Sequence, residues 1–445
     1  MSVLLSVKDK LSSFQIIILG FASVILLGAF ILMLPVSSKA GIVTGFSDAL
    51  FTSVSAVCVT GLVVVDTATY WSYFGQFVIL VLIQIGGLGV ITVASFLVML
   101  AGRRISLVQR QTMQNALSAP QMGGIVKLMR FIFKISFYVE MAGFVLLLPV
   151  FVPRYGLEGI WMSLFHSVSA FCNAGFDLMG DKTGEFSSFT SFSGNGYLSI
   201  VISLLIIIGG IGFVTWKDVS LKKTAFKEYK MQTKVILVTT AILIIVPAVI
   251  FFFTEFADAP LDERLYLSIF QSVTPRTAGF NTADFGEISD VGQAITMVLM
   301  LIGGSPGSTA GGMKTTTIAL LFANTIAVFG SRPNANFFGR RVEDCIVKNA
   351  STILFLYVSY AMSAAIVMTL IEGLPLQTCM FETFSAIGTV GLSLGVTPGL
   401  SAISHYILMS LMFFGRVGGL TIIFAAFSHK DKSTLRYPTE NLIVG

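Results

Sequence analysis

Eight long apolar runs dominate the chain, each close to the roughly 20 residues that an α-helix needs to cross about 30 Å of hydrocarbon. They cover residues 14–34, 76–100, 128–151, 196–216, 233–254, 291–329, 350–371 and 404–428, of which 291–329 is interrupted. Four shorter apolar pieces lie between the members of each pair, at 47–58, 159–172, 263–275 and 376–387. Because these pieces are too short to span, we expect re-entrant half-helices that enter and leave on the same side.

Two short motifs recur in the same order in four parts of the chain. The half-helices lead into SVSAVCVTGL from Ser53, SVSAFCNAGF from Ser167, SVTPRTAGF from Ser272 and TFSAIGTVGL from Thr383. The following runs contain IGGLG from Ile85, IGGIG from Ile208, IGGSPG from Ile302 and FGRVG from Phe414. The recurrence predicts an all-α polytopic membrane protein built from four tandem repeats. Each repeat consists of a helix, a re-entrant loop and a second helix, so that eight spanning helices surround one pore. The predicted repeats are residues 1–104, 105–223, 224–331 and 332–430, followed by a cytoplasmic tail at 431–445.

Composition agrees with a membrane protein, because 55% of the 445 residues are hydrophobic and 11% are charged, against about a quarter charged in soluble domains. The four Cys and three His show no zinc-ligand spacing, and the apolar interior holds no paired carboxylates and no Ser/His/Asp set. We therefore expect neither an enzyme nor an organic cofactor. Basic residues are spread between apolar runs, which excludes nucleic acid as a partner. The first run is too long for a signal-peptide core, so we expect it to be retained.

The distribution of charge predicts the orientation. Segments that join one repeat to the next, with both termini, hold 21 basic residues, whereas the segments with the half-helices hold five basic and fifteen acidic residues. By the positive-inside rule, we expect a multi-pass protein of the cell membrane with both termini on the cytoplasmic side. The half-helices then enter the membrane from outside. The acidic outer face would concentrate cations at the entrance.

Each half-helix ends in a triplet that closes with glycine. The triplets are Val59-Thr60-Gly61, Asn173-Ala174-Gly175, Thr277-Ala278-Gly279 and Thr389-Val390-Gly391. Non-helical backbone at membrane depth is tolerated only where it is buried in protein or lines water, and rings of carbonyls replace the hydration shell of a monovalent cation. We therefore expect a selectivity filter that binds potassium at the carbonyls of these triplets. The alternative is that each glycine is an ordinary helix C-cap.

The run 291–329 is interrupted by ten small residues. They are Gly303, Gly304, Ser305, Pro306, Gly307, Ser308, Thr309, Ala310, Gly311 and Gly312. Glycine and proline weaken helices, so no continuous helix is expected here. The adjoining Gly311–Thr315 is not a Walker A loop, because Met313 separates glycine from Lys314 and no strand precedes it.

Arg416 aligns with Gly87, Gly210 and Gly304 when the second motifs are superimposed. A charge at bilayer depth is costly and usually faces a bundle interior or a water cavity. We therefore expect Arg416 below the filter, where its charge raises the barrier to a cation. The alternative is an arginine that snorkels or forms a salt bridge between helices.

With these motifs, nearly the whole chain resembles the Trk/Ktr/HKT family of cation transporters, most closely the bacterial Ktr-type membrane subunit. The resemblance implies that residues 303–312 form an intramembrane gate, and that glycine at position 61 goes with potassium rather than sodium. It also implies a homodimer and a cytosolic, nucleotide-binding regulatory ring of the KtrA type, docked near residues 103–134 and 217–234. The third triplet departs from the pattern, because its loop is one residue shorter and carries Pro275-Arg276.

The function predicted is passive potassium uptake through a channel-like pore. The alternative, a cation-coupled sodium/potassium secondary transporter, usually has inverted repeats, whereas these repeats share one orientation. Whether sodium is coupled or only activates stays open. Three further sets of residues have structural interpretations or none. We expect His166, on a half-helix, to be a hydrogen-bonded structural side chain, and Cys58 and Cys172 to be small buried side chains that fill the packing. Glu140 has no assignable partner.

Overall fold

The computed structural model describes residues 12–102, 105–117, 123–427 and 440. The predicted tail at 431–445 lies outside the described residues except for Glu440, as do residues 1–11.

The helices follow one another in the order that the repeats predict. The first repeat holds α1 (Ser13–Leu32), α2 (Phe46–Cys58), α3 (Thr67–Tyr70), α4 (Tyr73–Leu88) and α5 (Val90–Leu100). The second holds α6 (Leu107–Ala116), α7 (Ile125–Tyr155), α8 (Glu158–Cys172), α9 (Gly180–Thr183), α10 (Gly196–Gly210) and α11 (Phe213–Lys222). The third holds α12 (Met231–Thr254), α13 (Leu261–Val273), α14 (Asp290–Leu301) and α15 (Thr315–Phe329). The fourth holds β1 (Asn336–Phe337), β2 (Arg340–Arg341), α16 (Asp344–Glu372), α17 (Leu376–Gly388), α18 (Ala402–Val417) and α19 (Gly419–Phe427). The two short strands form an antiparallel hairpin before α16.

The first helix of each repeat is long and apolar enough to cross a membrane; these are α1, α7, α12 and α16. The half-helices α2, α8, α13 and α17 have 13 to 15 residues, too few to span. Both sets begin and end close to the residues that the apolar pattern predicts.

The second helix of each repeat is broken at the shared glycine motif. The halves meet at 98° between α4 and α5, 97° between α10 and α11, and 90° between α18 and α19. The last glycine of the motif lies at the break, with φ of 87° at Gly89, 96° at Gly212 and 90° at Gly418. We expected a break only in the third repeat, and the structure corrects this. The third repeat differs in that residues 302–314 separate α14 from α15.

The four repeats close into a ring. Within a repeat, the half-helix packs against the first helix. Between repeats, α8 packs on α4, α13 on α10, α17 on α14, and α2 on α18. The last of these contacts joins the fourth repeat to the first, so the four half-helices surround one axis.

In the first, second and fourth repeats, the half-helix packs closely against the second helix of its own repeat, and this packing depends on glycine. A Cβ built on Gly86, Gly209 or Gly415 would lie under 3.0 Å from a carbonyl oxygen in the last turn of the half-helix, that of Val57, Phe171 or Ile387 respectively. Backbone atoms cannot rotate away as a side chain can. The first glycine of the motif therefore sets the distance between the two helices.

We predict that Gly415→Ala destabilises the protein by about 1–3 kcal/mol, because the added methyl group overpacks against the Ile387 carbonyl. Thermal unfolding of the purified protein in detergent measures this. Gly194→Ala is the matched control, since a Cβ there meets nothing within 4 Å. Equal melting temperatures for the two variants would contradict the packing argument.

Candidate functional site

The four triplets share one backbone conformation. The first residue of each has positive φ, at 58° for Val59, 60° for Asn173, 67° for Thr277 and 52° for Thr389. The closing glycines Gly61, Gly175, Gly279 and Gly391 also have positive φ, from 70° to 94°. The middle residues Thr60, Ala174, Ala278 and Val390 do not. Eleven of the twelve triplet residues are buried, and Gly391 is half-buried. The same strand geometry is therefore repeated four times, directly after the C-terminal ends of the half-helices.

The triplets follow one another around the axis and nearly touch. A Cβ built on each closing glycine would lie under 3.0 Å from the middle carbonyl oxygen of the next repeat, pairing Gly61 with Ala174, Gly175 with Ala278, Gly279 with Val390 and Gly391 with Thr60. The fourth pair closes the ring onto the first triplet. The structure thus brings together all twelve residues predicted for the filter, with carbonyl oxygens from every repeat around one axis.

The shorter third loop is accommodated just before its triplet. In the other repeats the middle N–H donates to the carbonyl five residues earlier, as from Thr60 to Ser55 at 2.8 Å. In the third repeat Ala278 donates to Thr274, four residues earlier, at 3.0 Å. Because the turn that contains Pro275 and Arg276 is tighter, the triplet after it keeps the conformation of the other three.

Buried hydroxyl groups behind the triplets support the strands, and the sequence analysis missed them. Ser55 and Ser385 accept the N–H of Gly61 and Gly391, each at 3.1 Å. Ser169 and Thr274 donate to the carbonyls just after the closing glycines, those of Phe176 at 2.7 Å and Phe280 at 2.6 Å. The signal was the hydroxyl residue repeated within the first motif.

A cavity of about 120 Å³ lies at the end of the ring that the predicted orientation places outside, which we call the outer mouth. It is lined by the four glycines together with Asp66 and Asp177. Asp66 accepts backbone N–H groups from Ala68 and Phe186. Asp177 lies in the outer loop, outside the spanning helices, and burial raises its pKa to about 7. Its negative charge is therefore complete only above neutral pH. The outer mouth carries acidic side chains that attract cations.

A larger cavity of about 250 Å³ lies on the opposite side of the ring, and we call it the inner cavity. It is lined by Gly87, Ala310, Gly312, Lys314 and Arg416. No carboxylate is among the described residues that line it. Lys314 Nζ donates to the carbonyls of Ala310 at 2.9 Å and Gly311 at 3.1 Å. Lys314 was not predicted from the sequence as a cavity residue. The signal was available, because Lys314 and Arg416 are the two basic residues that belong to neither charged face.

Arg416 joins the intramembrane loop to the first repeat. Its guanidinium donates to the carbonyls of Thr309, Gly86 and Gly87, the last at 3.0 Å. The ion pairs among the described residues all lie elsewhere. Arg416 therefore projects into the inner cavity and binds backbone carbonyls, rather than a carboxylate partner.

Residues 303–312 form a loop under the ring whose hydrogen bonds reach the second and fourth repeats. Gly303 N–H donates to Met313 O at 2.8 Å and closes the loop. Ser305 N–H donates to Gly210 O at 2.9 Å, while the loop carbonyl of Gly307 accepts from Phe213 N–H at 2.8 Å. The loop thus supplies partners to the broken helix of the second repeat.

The same loop reaches the filter triplets. Thr309 Oγ1 donates to Phe171 O at 3.1 Å and lies 3.2 Å from Asn173 Oδ1, and Gly312 N–H donates to Gly415 O at 3.2 Å. The ten predicted gate residues and Arg416 therefore meet at one place, between the ring and the inner cavity.

Two further candidates acquire partners. Gln84 Nε2 donates to Glu140 Oε1 at 2.8 Å. The sequence alone assigned Glu140 no partner. Cys58 and Cys172 are buried free thiols. His166 accepts the Leu178 N–H at 3.0 Å, as expected of a structural side chain.

The chain matches the family model described as "TrkH: Cation transport protein" over residues 8–436. It belongs to this family of cation transport proteins. It is 41% identical to the potassium/sodium uptake protein NtpJ of Enterococcus hirae, over 99% of this chain and 98% of that protein. It is 38% identical to the Ktr system potassium uptake protein B of Bacillus subtilis, over 97% and 96% of the two chains.

The fold agrees with that assignment. The crystal structure of the potassium transporter TrkH from Vibrio parahaemolyticus superimposes with a TM-score of 0.72 over 92% of this chain and 84% of that chain, at 18% identity. The predicted family and the all-α, four-repeat membrane fold are confirmed. The protein is a multi-pass membrane protein of a transport family rather than an enzyme family.

We predict that Arg416→Gln increases cation flux about tenfold, the change given by a barrier lowered by about 1.4 kcal/mol, because a positive charge is removed from the inner cavity. Flux into liposomes at matched protein content measures this. Lys348→Gln is the control. It also removes one positive charge, but from an exposed position in α16 that does not line the inner cavity. A folded Arg416→Gln protein with lower flux would contradict the barrier interpretation.

Proposed function

We propose that this protein conducts potassium passively across the cell membrane, through one pore per chain. The observation that carries this is the closed ring of four glycine-ended triplets, each contributing carbonyl oxygens near the same axis. Such rings replace the hydration shell of a monovalent cation. Potassium would bind at the carbonyls of residues 59–61, 173–175, 277–279 and 389–391. The potassium uptake named for the relatives in Enterococcus and Bacillus supports this function.

Potassium rather than sodium is proposed because Gly61 leaves its carbonyl unobstructed. A side chain there would approach the Ala174 carbonyl, and φ of 90° at Gly61 disfavours any other residue. One relative is named a potassium/sodium uptake protein. Sodium is therefore retained as a second ion, either an activator or the driving ion of a coupled transporter. Potassium uptake that requires a sodium gradient would identify coupling.

Residues 303–312 and Arg416 are proposed as the gate. The loop lies beside the inner cavity, and its attachments are individual hydrogen bonds rather than continuous helix. Glycines and hydroxyl residues allow such a segment to satisfy its backbone in more than one arrangement. Displacement of the loop would open a path from the ring to the cytoplasmic side.

A homodimer with a KtrA-type nucleotide-binding ring on the cytoplasmic side is proposed as the assembly. Relatives named as parts of Ktr systems support a membrane subunit that works with other components. The basic segments between repeats, on the side proposed to be cytoplasmic together with both termini, offer a contact surface. Lys217, Lys222 and Lys227 lie in one such segment.

The test of function is flux of potassium, rubidium, sodium and lithium into liposomes that contain the purified chain alone. We predict that Gly61→Ser lowers the potassium-to-sodium flux ratio about tenfold, since backbone strain of about 1–3 kcal/mol and the Ala174 contact reshape the ring. Gly41→Ser is the control, because Gly41 also has positive φ but a Cβ there meets nothing within 4 Å. An unchanged ratio in a well-folded Gly61→Ser protein would place selectivity elsewhere.

Deletion of residues 306–308 tests the gate. We expect basal potassium flux to rise severalfold and control by a cytosolic partner to weaken, because the deletion removes the Gly307 carbonyl that binds Phe213. Flux with and without the partner measures both effects, in protein that elutes as a single species. If flux and regulation are both unchanged, the loop is a kink and the gate lies elsewhere.

A further inference from the structure

One position on the half-helices carries a different residue in every repeat, and in two repeats its side chain bonds to the segment that follows the filter triplet. The position lies seven residues before the first triplet residue, or six residues before it in the shorter third repeat. It is occupied by Thr52, His166, Gln271 and Glu382 in the four repeats. All four side chains are buried, with at most 1% of each exposed. The repeated motifs of this sequence begin one residue after this position. Neither the proposed filter nor the proposed gate uses it.

In the fourth repeat the position ties the half-helix to the outer end of the strand. Glu382 Oε1 accepts the Leu394 N–H at 3.0 Å and the Ser393 hydroxyl at 2.7 Å, while Oε2 accepts the Thr397 hydroxyl at 2.6 Å. Leu394 is the third residue after the closing glycine Gly391. Ser393 and Thr397 line the outer mouth. A buried carboxylate thus fixes the wall of the mouth from behind.

In the second repeat a different side chain makes the equivalent bond. His166 Nε2 accepts the N–H of Leu178 at 3.0 Å, and Leu178 is the third residue after Gly175. The imidazole is held by aromatic neighbours, with ring centroids 5.0 Å from both Phe151 and Phe189. Two chemically unrelated residues therefore accept backbone N–H groups at equivalent positions, those of Leu178 and Leu394. This points to a requirement for the bond rather than for either side chain.

The other two repeats lack this tether. Thr52 Oγ1 donates to Asp48 O within its own helix at 2.8 Å. Neither Gln271 Nε2 nor Gln271 Oε1 has a hydrogen-bond partner among the described residues. The third strand is held instead from the second repeat, where Ser188 Oγ accepts the Asn281 N–H at 3.1 Å. Since the repeats follow one another around the ring, the tethered second and fourth strands face each other across the axis.

We propose that His166 and Glu382 are positioning residues for ion selectivity, which hold the outer ends of two opposite filter strands. The inference rests on the proposed potassium function. Carbonyl rings discriminate between monovalent cations by the placement of their oxygens. An N–H left without its acceptor in a buried site is costly, so the strand would shift to satisfy it. Removing either tether should therefore change which ion passes, and not only how stable the protein is.

The experiment compares potassium-to-sodium flux ratios in liposomes for two pairs of variants. Glu382→Ala removes the acceptor, whereas Glu382→Gln keeps an amide oxygen for Leu394 and Ser393. His166→Phe keeps the aromatic packing and loses the acceptor, whereas His166→Gln retains one. We expect the ratio to fall about tenfold in the Ala and Phe variants, the factor that corresponds to about 1.4 kcal/mol, and to stay near wild type in both Gln variants.

Gln271→Met is the matched control, because it changes the same position in the third repeat without removing a hydrogen bond among the described residues. Its ratio should equal that of the wild type. A flux ratio does not depend on the amount of folded protein, so a purely structural loss would not move it.

Three results would overturn the inference. The first is an unchanged ratio in His166→Phe and Glu382→Ala. The second is a Glu382→Gln or His166→Gln variant that loses as much as its non-accepting counterpart, which would assign the effect to charge or shape. If Glu382→Ala fails to fold, His166→Phe decides alone, since its ring can pack in place of imidazole. The third is a wild type without potassium preference, which overturns the proposed function as well. If the wild type prefers potassium and the His166→Phe and Glu382→Ala variants keep that preference, only this inference is overturned.

Discussion

Backbone groups outside helices must find partners inside this protein, because the bilayer core offers no water to bind them. The four triplets and the four breaks in the second helices are such segments. The loop at 303–312 meets part of this demand by bonding to Gly210 and Phe213 at the second-repeat break. Arg416 meets another part by donating to Thr309, Gly86 and Gly87. Loop, breaks and arginine therefore form one hydrogen-bonded unit under the ring.

The charges at the two ends of the ring are opposite in sign. Asp66 and Asp177 line the outer mouth, whereas Lys314 and Arg416 line the inner cavity. A buried charge in a membrane is costly, and backbone carbonyls compensate both inner cations. In the proposed orientation, these charges would attract a cation at the outer mouth and oppose it below the ring. Movement of the loop, whose Ala310 and Gly311 carbonyls accept from Lys314, would change the second effect without altering the ring itself.

The four repeats reach one backbone geometry through different contacts. The third repeat lacks a residue, and its tighter turn from Thr274 to Ala278 restores the triplet. Ser55 and Ser385 accept hydrogen bonds where Ser169 and Thr274 donate them. His166 and Glu382 hold their strands from behind, while the third strand is held through Ser188. A fourfold backbone is thus supported by side chains with lower symmetry.

The sequence by itself determined the repeats, the half-helices, the positions of the triplets and the need for a loop at 303–312, because apolar length and repeated glycines act locally. It did not reveal the bends at Gly89, Gly212 and Gly418. The amino-acid sequence does not distinguish a glycine that adopts positive φ from a glycine inside a continuous helix. It placed Arg416 below the ring but not its carbonyl partners, and it assigned Glu140 no partner, although Gln84 lies 2.8 Å away. Only the tertiary structure decided these pairs, because hydrogen bonds between residues tens to hundreds of positions apart depend on how the four repeats close around the axis.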